Sequence, residues 1–195
     1  MQSNETGGWT SFNQENPCTG GTNAQEVSSL VETGCGTEGA NQDMIELGKN
    51  IATNGGEIQS AFNRLIQCWI RETEKIQQWD LTLSVIDCPG NNVSTCEEVR
   101  GAVNLNVVWI TESGEEPGYN NDPTQMGNWS SSDPDGSERW KSFVTNFDLQ
   151  NVDGSPAPYT KKSIYFLPDC TPHVRVGVTG GENFGILAKI PVLVH

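Results

Sequence analysis

The sequence predicts an α+β domain in which an antiparallel-rich sheet packs on one long helix, with long loops tied down by disulfides. Three observations predict this class. One segment carries apolar residues at helical spacing, several others alternate apolar and polar residues as strands do, and six cysteines are spread through a glycine-rich chain. The length of 195 residues suits one domain, so residues 1–195 are predicted to form a single unit.

The long helix is predicted over about residues 56–75. Its apolar residues follow the spacing i, i+3, i+4, i+7, i+10 and i+11, which places them on one helical face: Ile58, Ala61, Phe62, Leu65, Cys68 and Trp69. Asn54, followed three residues later by Glu57, resembles a capping box in which asparagine replaces serine or threonine. Cys68 is therefore expected on the buried face of this helix.

The strands of the sheet are predicted at residues 79–87, 100–111, 162–168 and 184–194. In "WDLTLSVIDC", Leu81, Leu83 and Val85 alternate with polar residues, and "GAVNLNVVWIT" alternates in the same way. Helical spacing resumes in "GSERWKSFVTNFDL", between the second and the third strand. Residues 1–40 are polar with little periodicity, which predicts a mostly irregular segment held to the body by its cysteines.

The six cysteines favour three disulfides and therefore an oxidising compartment. They form no CxxC pair, and an even number in a loop-rich chain is typical of secreted domains; the alternative is a set of reduced, buried thiols. Cys88 and Cys96 enclose a short loop, which favours a bond between them. Cys68 lies on the buried face of the predicted helix, which favours a bond to Cys170. The pair that then remains is Cys18–Cys35. Spacing alone leaves this connectivity open, because six cysteines can pair in many ways.

Cys170 lies three residues before His173, one of only two histidines, so a metal site and a nucleophile with its base must be weighed. A zinc site needs about four ligands, and the other histidine is His195. A papain-like pair needs a cysteine at a helix N-terminus, whereas Cys170 follows a predicted strand between two prolines. A disulfide is the favoured interpretation of Cys170.

The charge balance excludes some classes of partner. The formal net charge is -14, and no lysine or arginine precedes Lys49. Such a surface repels nucleic acids and anionic membranes, which bind proteins mainly through basic residues. It suits Ca²⁺ and basic partners. No membrane-spanning run or signal peptide is visible, so an exported protein would need a targeting segment upstream of Met1.

Residues 112–138 form a long acidic loop with seven Asp or Glu and no basic residue. Loops of this length are usually functional or disordered. Within the loop, "SDPDGSE" resembles part of a Ca²⁺ loop, with Asp133, Asp135 and Glu138 as candidate ligands. The sequence lacks the full EF-hand pattern, and a turn that leads into a helix explains the same residues. The favoured prediction is accordingly no cofactor, with Ca²⁺ as the alternative.

The same loop offers candidates for sugar binding and for glycoside hydrolysis. Tyr119, Asp122 and Trp129 are the candidate binding residues, since aromatic rings and carboxylates line many sugar sites. A hydrolase would use two carboxylates at a fixed separation. The candidates for this pair are Glu112, Glu115, Glu116 and Asp122. A solvated acidic loop accounts for these residues without any catalytic role, and no established catalytic motif is present.

Four long stretches together resemble a known family: "CPGNNVSTCEEVRGAVNLNVVWIT", "NFDLQNVDGSPAPY", "KSIYFLPDCTPH" and "GGENFGILAKIPVLV". They are similar to the extracytoplasmic part of bacterial TadE/TadG-like proteins, which are pilin-like components linked to Tad (Flp) pilus assembly. The resemblance runs from about Gly8 to Val194. It implies a protein without catalytic residues, whose partners are other pilus or cell-envelope proteins. Family members are anchored by an N-terminal hydrophobic segment, which this sequence lacks.

The function predicted from the sequence is a non-enzymatic structural or adhesive module of a bacterial surface appendage. It would lie at the cell surface, in the periplasm or in the secreted fraction, and would contact other envelope proteins or a host or surface ligand. Two alternatives remain open. The first is a Ca²⁺-dependent carbohydrate-binding module of a secreted protein, and the second is a small secreted glycoside hydrolase.

Overall fold

The computed structural model describes residues 8–14, 18, 20–35, 45–56, 58–87, 93–112, 122–131, 138–151 and 153–168. The predicted α+β class with an antiparallel sheet is confirmed. In chain order, the helices and strands are β1 Gly8–Thr10, α1 Ala24–Gly34, β2 Asn50–Gly55, α2 Gln59–Thr73, β3 Trp79–Asp87, β4 Cys96–Ile110, β5 Gln125–Met126, β6 Trp129–Ser130, α3 Arg139–Phe147 and β7 Ile164–Pro168.

The sheet is organised around β4, which is 15 residues long. The strand order is β1-β2-β4-β3, and β7 also pairs with β4; all of these pairings are antiparallel. β2 pairs with the first residues of β4, and β7 pairs with its last residues. β3 runs along most of β4 on the remaining side, from Trp79 opposite Val107 to Asp87 opposite Glu98.

The two halves of β4 are buried to different extents. Val107, Val108, Trp109 and Ile110 are each at most 1% exposed. Because successive strand residues point to opposite faces, four consecutive buried residues require cover on both faces of the sheet. Residues 101–104 of the same strand are only half-buried. The core therefore lies at the C-terminal end of β4, and the N-terminal half carries less cover from the described residues.

The predicted central helix is confirmed as α2, and its predicted face is the buried one. Ala61, Phe62, Cys68 and Trp69 are buried, as the spacing predicts. The predicted capping box is wrong: α2 begins after Ile58, and Asn54 lies in β2. The Asn54 side chain donates a hydrogen bond to the Thr22 carbonyl oxygen at 2.9 Å, so it holds the N-terminal segment and not a helix end.

The prediction of a mostly irregular segment over residues 1–40 did not include β1 and α1, which the described part of this region contains. A capping box begins α1: Asn23 accepts a hydrogen bond from the Glu26 N–H, and the Glu26 side chain accepts one from the Asn23 N–H. This reciprocal pair satisfies two amide groups that the helix would leave without partners. α1 packs on α2 through Val27, which is buried against Ile58 and Ala61.

We expect Asn23→Ala to lower the free energy of unfolding by about 1 kcal/mol, since the variant loses the side-chain acceptor that caps α1. Urea titration followed by circular dichroism measures this change. Gln25→Ala is the matched control, because Gln25 lies on the exposed surface of the same helical turn. A cost for Asn23→Ala no larger than that for Gln25→Ala would show that the cap does not stabilise α1.

The prediction of one long helix is also incomplete, since the described residues contain three helices. α3 packs its rings against β4: Trp109 contacts Trp140 and Phe143 edge-on, with ring centroids 5.1 and 4.9 Å apart. Such edge-to-face pairs favour defined ring orientations. The Trp140 indole N–H donates to the Ala157 carbonyl oxygen at 3.0 Å. α3 therefore belongs to the core together with α2.

The four cysteines that lie within the described residues are disulfide-bonded, but not in the predicted pairs. The bonds are Cys18–Cys96, with the Cα atoms 6.1 Å apart, and Cys35–Cys68, with the Cα atoms 5.6 Å apart. The predicted pairs Cys18–Cys35, Cys68–Cys170 and Cys88–Cys96 are therefore wrong. The reason is the fold of the N-terminal segment: α1 ends at Cys35 beside α2, and the chain at Cys18 lies beside the start of β4.

Several predictions fall on residues that the structure does not describe. Cys88, Cys170, His173 and His195 lie outside the described residues, as does the predicted strand 184–194. Within the described ranges, no helix combines the length and the apolarity that a membrane span requires. Two disulfides are typical of proteins from an oxidising, extracytoplasmic compartment, as the cysteine pattern predicts.

Candidate functional site

The candidate site is the acidic loop of residues 112–138, which separates β4 from α3. The structure describes its first residue, its middle part 122–131 and its last residue. Segments 113–121 and 132–137 lie outside the described residues. The candidate residues Glu115, Glu116, Tyr119, Asp133 and Asp135 belong to these two segments, whereas Glu112, Asp122, Trp129 and Glu138 are described.

The start of the loop is held to the connection that precedes β7. The Thr111 N–H donates to the Ser163 carbonyl oxygen at 2.9 Å, and the Thr111 hydroxyl donates to the Thr160 carbonyl oxygen at 2.6 Å. The Lys162 N–H donates to the Glu112 carbonyl oxygen at 3.1 Å. Thr111 is fully buried. Because its hydroxyl is buried with a partner, the loop leaves β4 from a fixed point.

The middle of the loop forms the short hairpin of β5 and β6. Met126 pairs with Trp129, and Gly127 in the turn has a φ of 57°, a left-handed conformation that glycine adopts without strain. The Gly127 N–H donates to the Ile76 carbonyl oxygen at 3.0 Å, which joins the hairpin to the segment after α2. The Ser131 N–H donates to the Thr124 carbonyl oxygen at 2.7 Å and closes the base of the hairpin.

Trp129 is a core residue and offers no surface to a sugar. Its side chain is buried, and its indole N–H donates to the Ser142 hydroxyl of α3 at 3.0 Å. The ring meets Phe143 edge-on, with centroids 5.0 Å apart and planes at 90°. Met126, which faces the same cluster, is fully buried. The hairpin thus packs its two large apolar side chains into the core and stabilises the middle of the loop.

Asp122 forms a buried ion pair with Arg139, the first residue of α3. The Asp122 carboxylate and the Arg139 guanidinium lie 3.8 Å apart, and the side chains are 6% and 10% exposed. Both charged groups are buried away from water, and their burial is tolerated because each neutralises the charge of the other. The pair connects the beginning of segment 122–131 to the helix that follows the loop. Asp122 is consequently part of the framework and is not presented to a ligand.

Glu138 ends the loop as the residue before α3. It is exposed, and its carboxylate accepts from the Lys141 ammonium at 2.8 Å, one turn further along the helix. This is the arrangement expected of a surface residue at the start of a helix. Of the three candidate Ca²⁺ ligands, the described one is therefore engaged with a lysine, and the other two lie outside the described residues.

One cluster of potential metal ligands occurs among the described residues. Cys35, Cys68 and Glu72 place their ligand atoms within 4.8 Å of one another. Both sulfur atoms belong to the Cys35–Cys68 disulfide, and a disulfide sulfur is not the thiolate that binds metals. The cluster is a structural crosslink between α1 and α2. It does not point to a metal centre.

Sequence reasoning missed Arg139 as the residue that organises the loop. A signal for it exists: Arg139 is the first basic residue after Arg100, and it follows the seven acidic residues of the loop directly. An arginine in that position is a candidate partner for any acid that the fold buries. The helical spacing of Trp140, Phe143 and Val144 predicted α3, but it says nothing about the neighbouring charge.

Comparison of the chain with protein-family models, with curated proteins and with solved structures found no significant match. The resemblance to TadE/TadG-like proteins therefore stays a prediction that rests on the four sequence stretches.

Proposed function

We propose that this chain is a non-enzymatic structural or adhesive module of a bacterial surface appendage, as a pilin-like component of a Tad/Flp-type pilus system. It acts by surface contact. Its partners are other pilus or cell-envelope proteins, or a ligand on the surface to which the appendage attaches. The acidic loop is the contact region.

The observation that carries the proposal is the way in which the acidic loop is anchored. Buried contacts hold it at Thr111, at the hairpin of β5 and β6, and at the Asp122–Arg139 ion pair. Four of its seven acids lie in the two intervening segments, 113–121 and 132–137. The fixed points of the loop are buried, and most of its acidic residues lie between these points in the sequence. Such a loop suits contact with a basic partner, because it loses less conformational entropy on binding than a loop without fixed points would.

The disulfides support the same proposal. They join the chain at Cys18 to the start of β4, and α1 to α2, so they restrict the unfolded chain and stabilise the folded module. Surface appendages meet an oxidising environment, in which such crosslinks persist.

The direct test is to locate the protein in the bacterium that encodes it. Filaments are sheared from the cell surface, and an antibody against the domain is applied to the filament, membrane and supernatant fractions. We expect the domain in the filament fraction of cells that assemble the appendage and its loss from this fraction when assembly is blocked. Recovery from the supernatant alone, with or without assembly, would contradict the proposal.

We expect neutralisation of the loop to weaken attachment about tenfold, since four charges that each contribute a few tenths of a kcal/mol to a surface contact sum to that factor. The loop variant changes Glu115, Glu116, Asp133 and Asp135 to their amides. Attachment is measured as the number of cells that remain on a surface after washing, at low and at physiological salt. The difference should shrink as salt screens the contact.

The matched control changes Glu5, Glu15, Glu38 and Asp43 to their amides. Both variants remove four carboxylates, so both change the formal net charge from -14 to -10. If the control weakens attachment as much as the loop variant does, the total charge of the protein matters and the loop is not the contact region.

A further inference from the structure

A cavity of about 440 Å³ lies beside the start of β4. Three segments of the chain form it: residues 21–22 before α1, residues 53–55 of β2, and residues 93–95, which lead into β4. Cavities of this size hold small molecules in many proteins. The acidic loop leaves β4 at its other end, so the cavity is distinct from that loop.

Hydrogen bonds between the three segments fix the walls of this cavity. The Thr53 N–H donates to the Thr95 carbonyl oxygen at 3.0 Å, and the Thr53 hydroxyl donates to the Ser94 carbonyl oxygen at 2.6 Å. The Asn54 side chain joins β2 to the third segment through the Thr22 carbonyl oxygen. The walls are therefore in place before a ligand arrives, which reduces the conformational entropy lost on binding.

Two glycines allow the three segments to approach one another closely. A Cβ atom on Gly21 would lie 2.5 Å from a carbonyl oxygen of β2, and one on Gly55 would lie 2.8 Å from the Val93 carbonyl oxygen. A side chain at either position would force two walls of the cavity apart. The Cys18–Cys96 disulfide holds the same region, because it joins the chain before Gly21 to the start of β4.

Two acids support the polar groups of the walls. The Thr22 hydroxyl donates to the Glu26 carboxylate at 3.0 Å. The Ser94 N–H donates to the buried carboxylate of Glu97 at 2.8 Å. Each acid thus holds one wall of the cavity in place.

The lining offers neutral groups that both donate and accept hydrogen bonds. Among the described residues, no charged side chain lines the cavity. The Asn54 amide uses one N–H on the Thr22 carbonyl oxygen, and its chemistry provides a second N–H and an acceptor oxygen. The Thr95 hydroxyl can donate one hydrogen bond and accept two. The Ser94 hydroxyl, which donates to the Cys96 carbonyl oxygen at 3.3 Å, can also accept.

We propose that this cavity binds a neutral monosaccharide. Each hydroxyl of a sugar donates and accepts hydrogen bonds at one atom, as the amide and the hydroxyls of the lining also do. An anion would require positive charge or a set of donors, and a metal cation would require carboxylates or a set of acceptor oxygens. An anionic sugar would also be repelled by the net charge of -14. The proposal concerns the isolated domain and does not depend on its place in an appendage.

Titration of the isotope-labelled domain, followed by nuclear magnetic resonance, tests the proposal. The probes are D-glucose, D-galactose, D-mannose and N-acetyl-D-glucosamine. We expect at least one of them to shift the amide resonances of Gly21, Thr22, Asn54 and Thr95. The dissociation constant should lie in the millimolar range, because each hydrogen bond to a neutral group contributes little. D-Glucuronate and D-galacturonate, which carry a negative charge, should bind more weakly than the neutral sugars at low salt.

Three results of the titration would overturn the proposal. The first is the absence of any shift from the four neutral sugars at about 50 mM, a concentration well above the expected dissociation constant. The second is a set of shifts confined to the acidic loop, which would place the sugar elsewhere. The third is tighter binding of the uronates, which would exclude a neutral ligand.

A pair of substitutions tests the lining itself. Thr95→Val removes one hydroxyl and keeps the shape of the side chain, and Thr95 is exposed, so the fold should be retained. We expect the affinity for the sugar to fall about two- to tenfold, the range expected for one hydrogen bond. Thr145→Val is the matched control, because it removes an exposed hydroxyl from α3, which packs on the opposite end of β4. An equal loss in both variants, or no loss in Thr95→Val, would overturn the proposal.

Discussion

A Cys18→Ser/Cys96→Ser double variant is expected to lose about 4.5 kcal/mol of unfolding free energy in the chain-entropy model. The disulfide closes a loop with a sequence separation of 78 residues, so its removal returns much conformational freedom to the unfolded chain. For a domain of this size, the melting temperature should fall by about 10 to 15 °C. Differential scanning calorimetry without reductant measures the change.

The matched control is Cys35→Ser/Cys68→Ser, which opens a loop with a sequence separation of 33 residues. The same model gives about 3.7 kcal/mol for this bond, so the first variant should be the less stable of the two. Peptide mapping of the parent protein checks the connectivity directly. A linked peptide that contains Cys18 and Cys35 would contradict the structure, as would a Cys18→Ser/Cys96→Ser variant that melts like the parent.

Asp122→Ala is expected to cost about 3 to 5 kcal/mol, because it removes the buried carboxylate that lies beside the buried guanidinium of Arg139. The loss should appear as a lower urea midpoint with an unchanged slope, since the surface exposed on unfolding stays the same. A double variant, Asp122→Leu with Arg139→Met, replaces the buried pair with apolar side chains. It should recover most of the loss.

The control for this prediction is Glu138→Gln, which removes an exposed partner of Lys141 on the same helix. Exposed pairs of this kind contribute at most about 1 kcal/mol. If Asp122→Ala costs no more than Glu138→Gln, the loop is not held by the ion pair. If the double variant is as unstable as the single one, burial of charge is not the cause of the loss.

The sequence could predict the parts of the fold that a local pattern determines. α2 shows helical spacing, and β3, β4 and β7 show alternation or a short apolar run, so each is visible within its own residues. The start of β4 was missed because Cys96, Glu97 and Glu98 look like a solvated turn. In the structure Glu97 is buried, and its carboxylate accepts from the Ser94 N–H at 2.8 Å. A charged residue that is buried because its carboxylate accepts a hydrogen bond from a backbone N–H leaves no signal in a hydrophobicity pattern.

The hydrophobicity pattern also failed to predict the N-terminal helix, α1. α1 has one fully buried apolar residue, Val27, and its packing against α2 includes a contact between the Ser28 and Ser60 hydroxyl oxygens at 2.7 Å. With Val27, Leu30 and Val31 as its only large apolar residues, α1 shows no apolar stripe as long as that of α2. The capping pair Asn23 and Glu26 was the available signal, while the similar pattern at Asn54 was the misleading one.

The disulfides and the candidate site depend on contacts between distant residues, which spacing does not encode. Cys18 and Cys96 meet because β2 brings the N-terminal segment to the start of β4. Asp122 and Trp129 look solvated because their neighbours in sequence are polar, yet one is buried by an arginine and the other by α3. Only the packing of the loop against the helix distinguishes these residues from surface residues.

The nesting of the two disulfides has a consequence for a molecule under tension. The Cys35–Cys68 ring lies inside the Cys18–Cys96 ring, so a pull on the two chain ends passes from Cys18 to Cys96 through the sulfur atoms and bypasses the 77 residues between them. Without that bond, the same stretch could lengthen by up to about 150 Å when it unravels, because the Cys35–Cys68 bond still keeps its inner ring closed. With the bond intact, β1, which precedes Cys18, and the chain beyond Cys96 carry the load, while α1, β2, α2 and β3 are shielded from extension. A filament built from such modules would resist stretching.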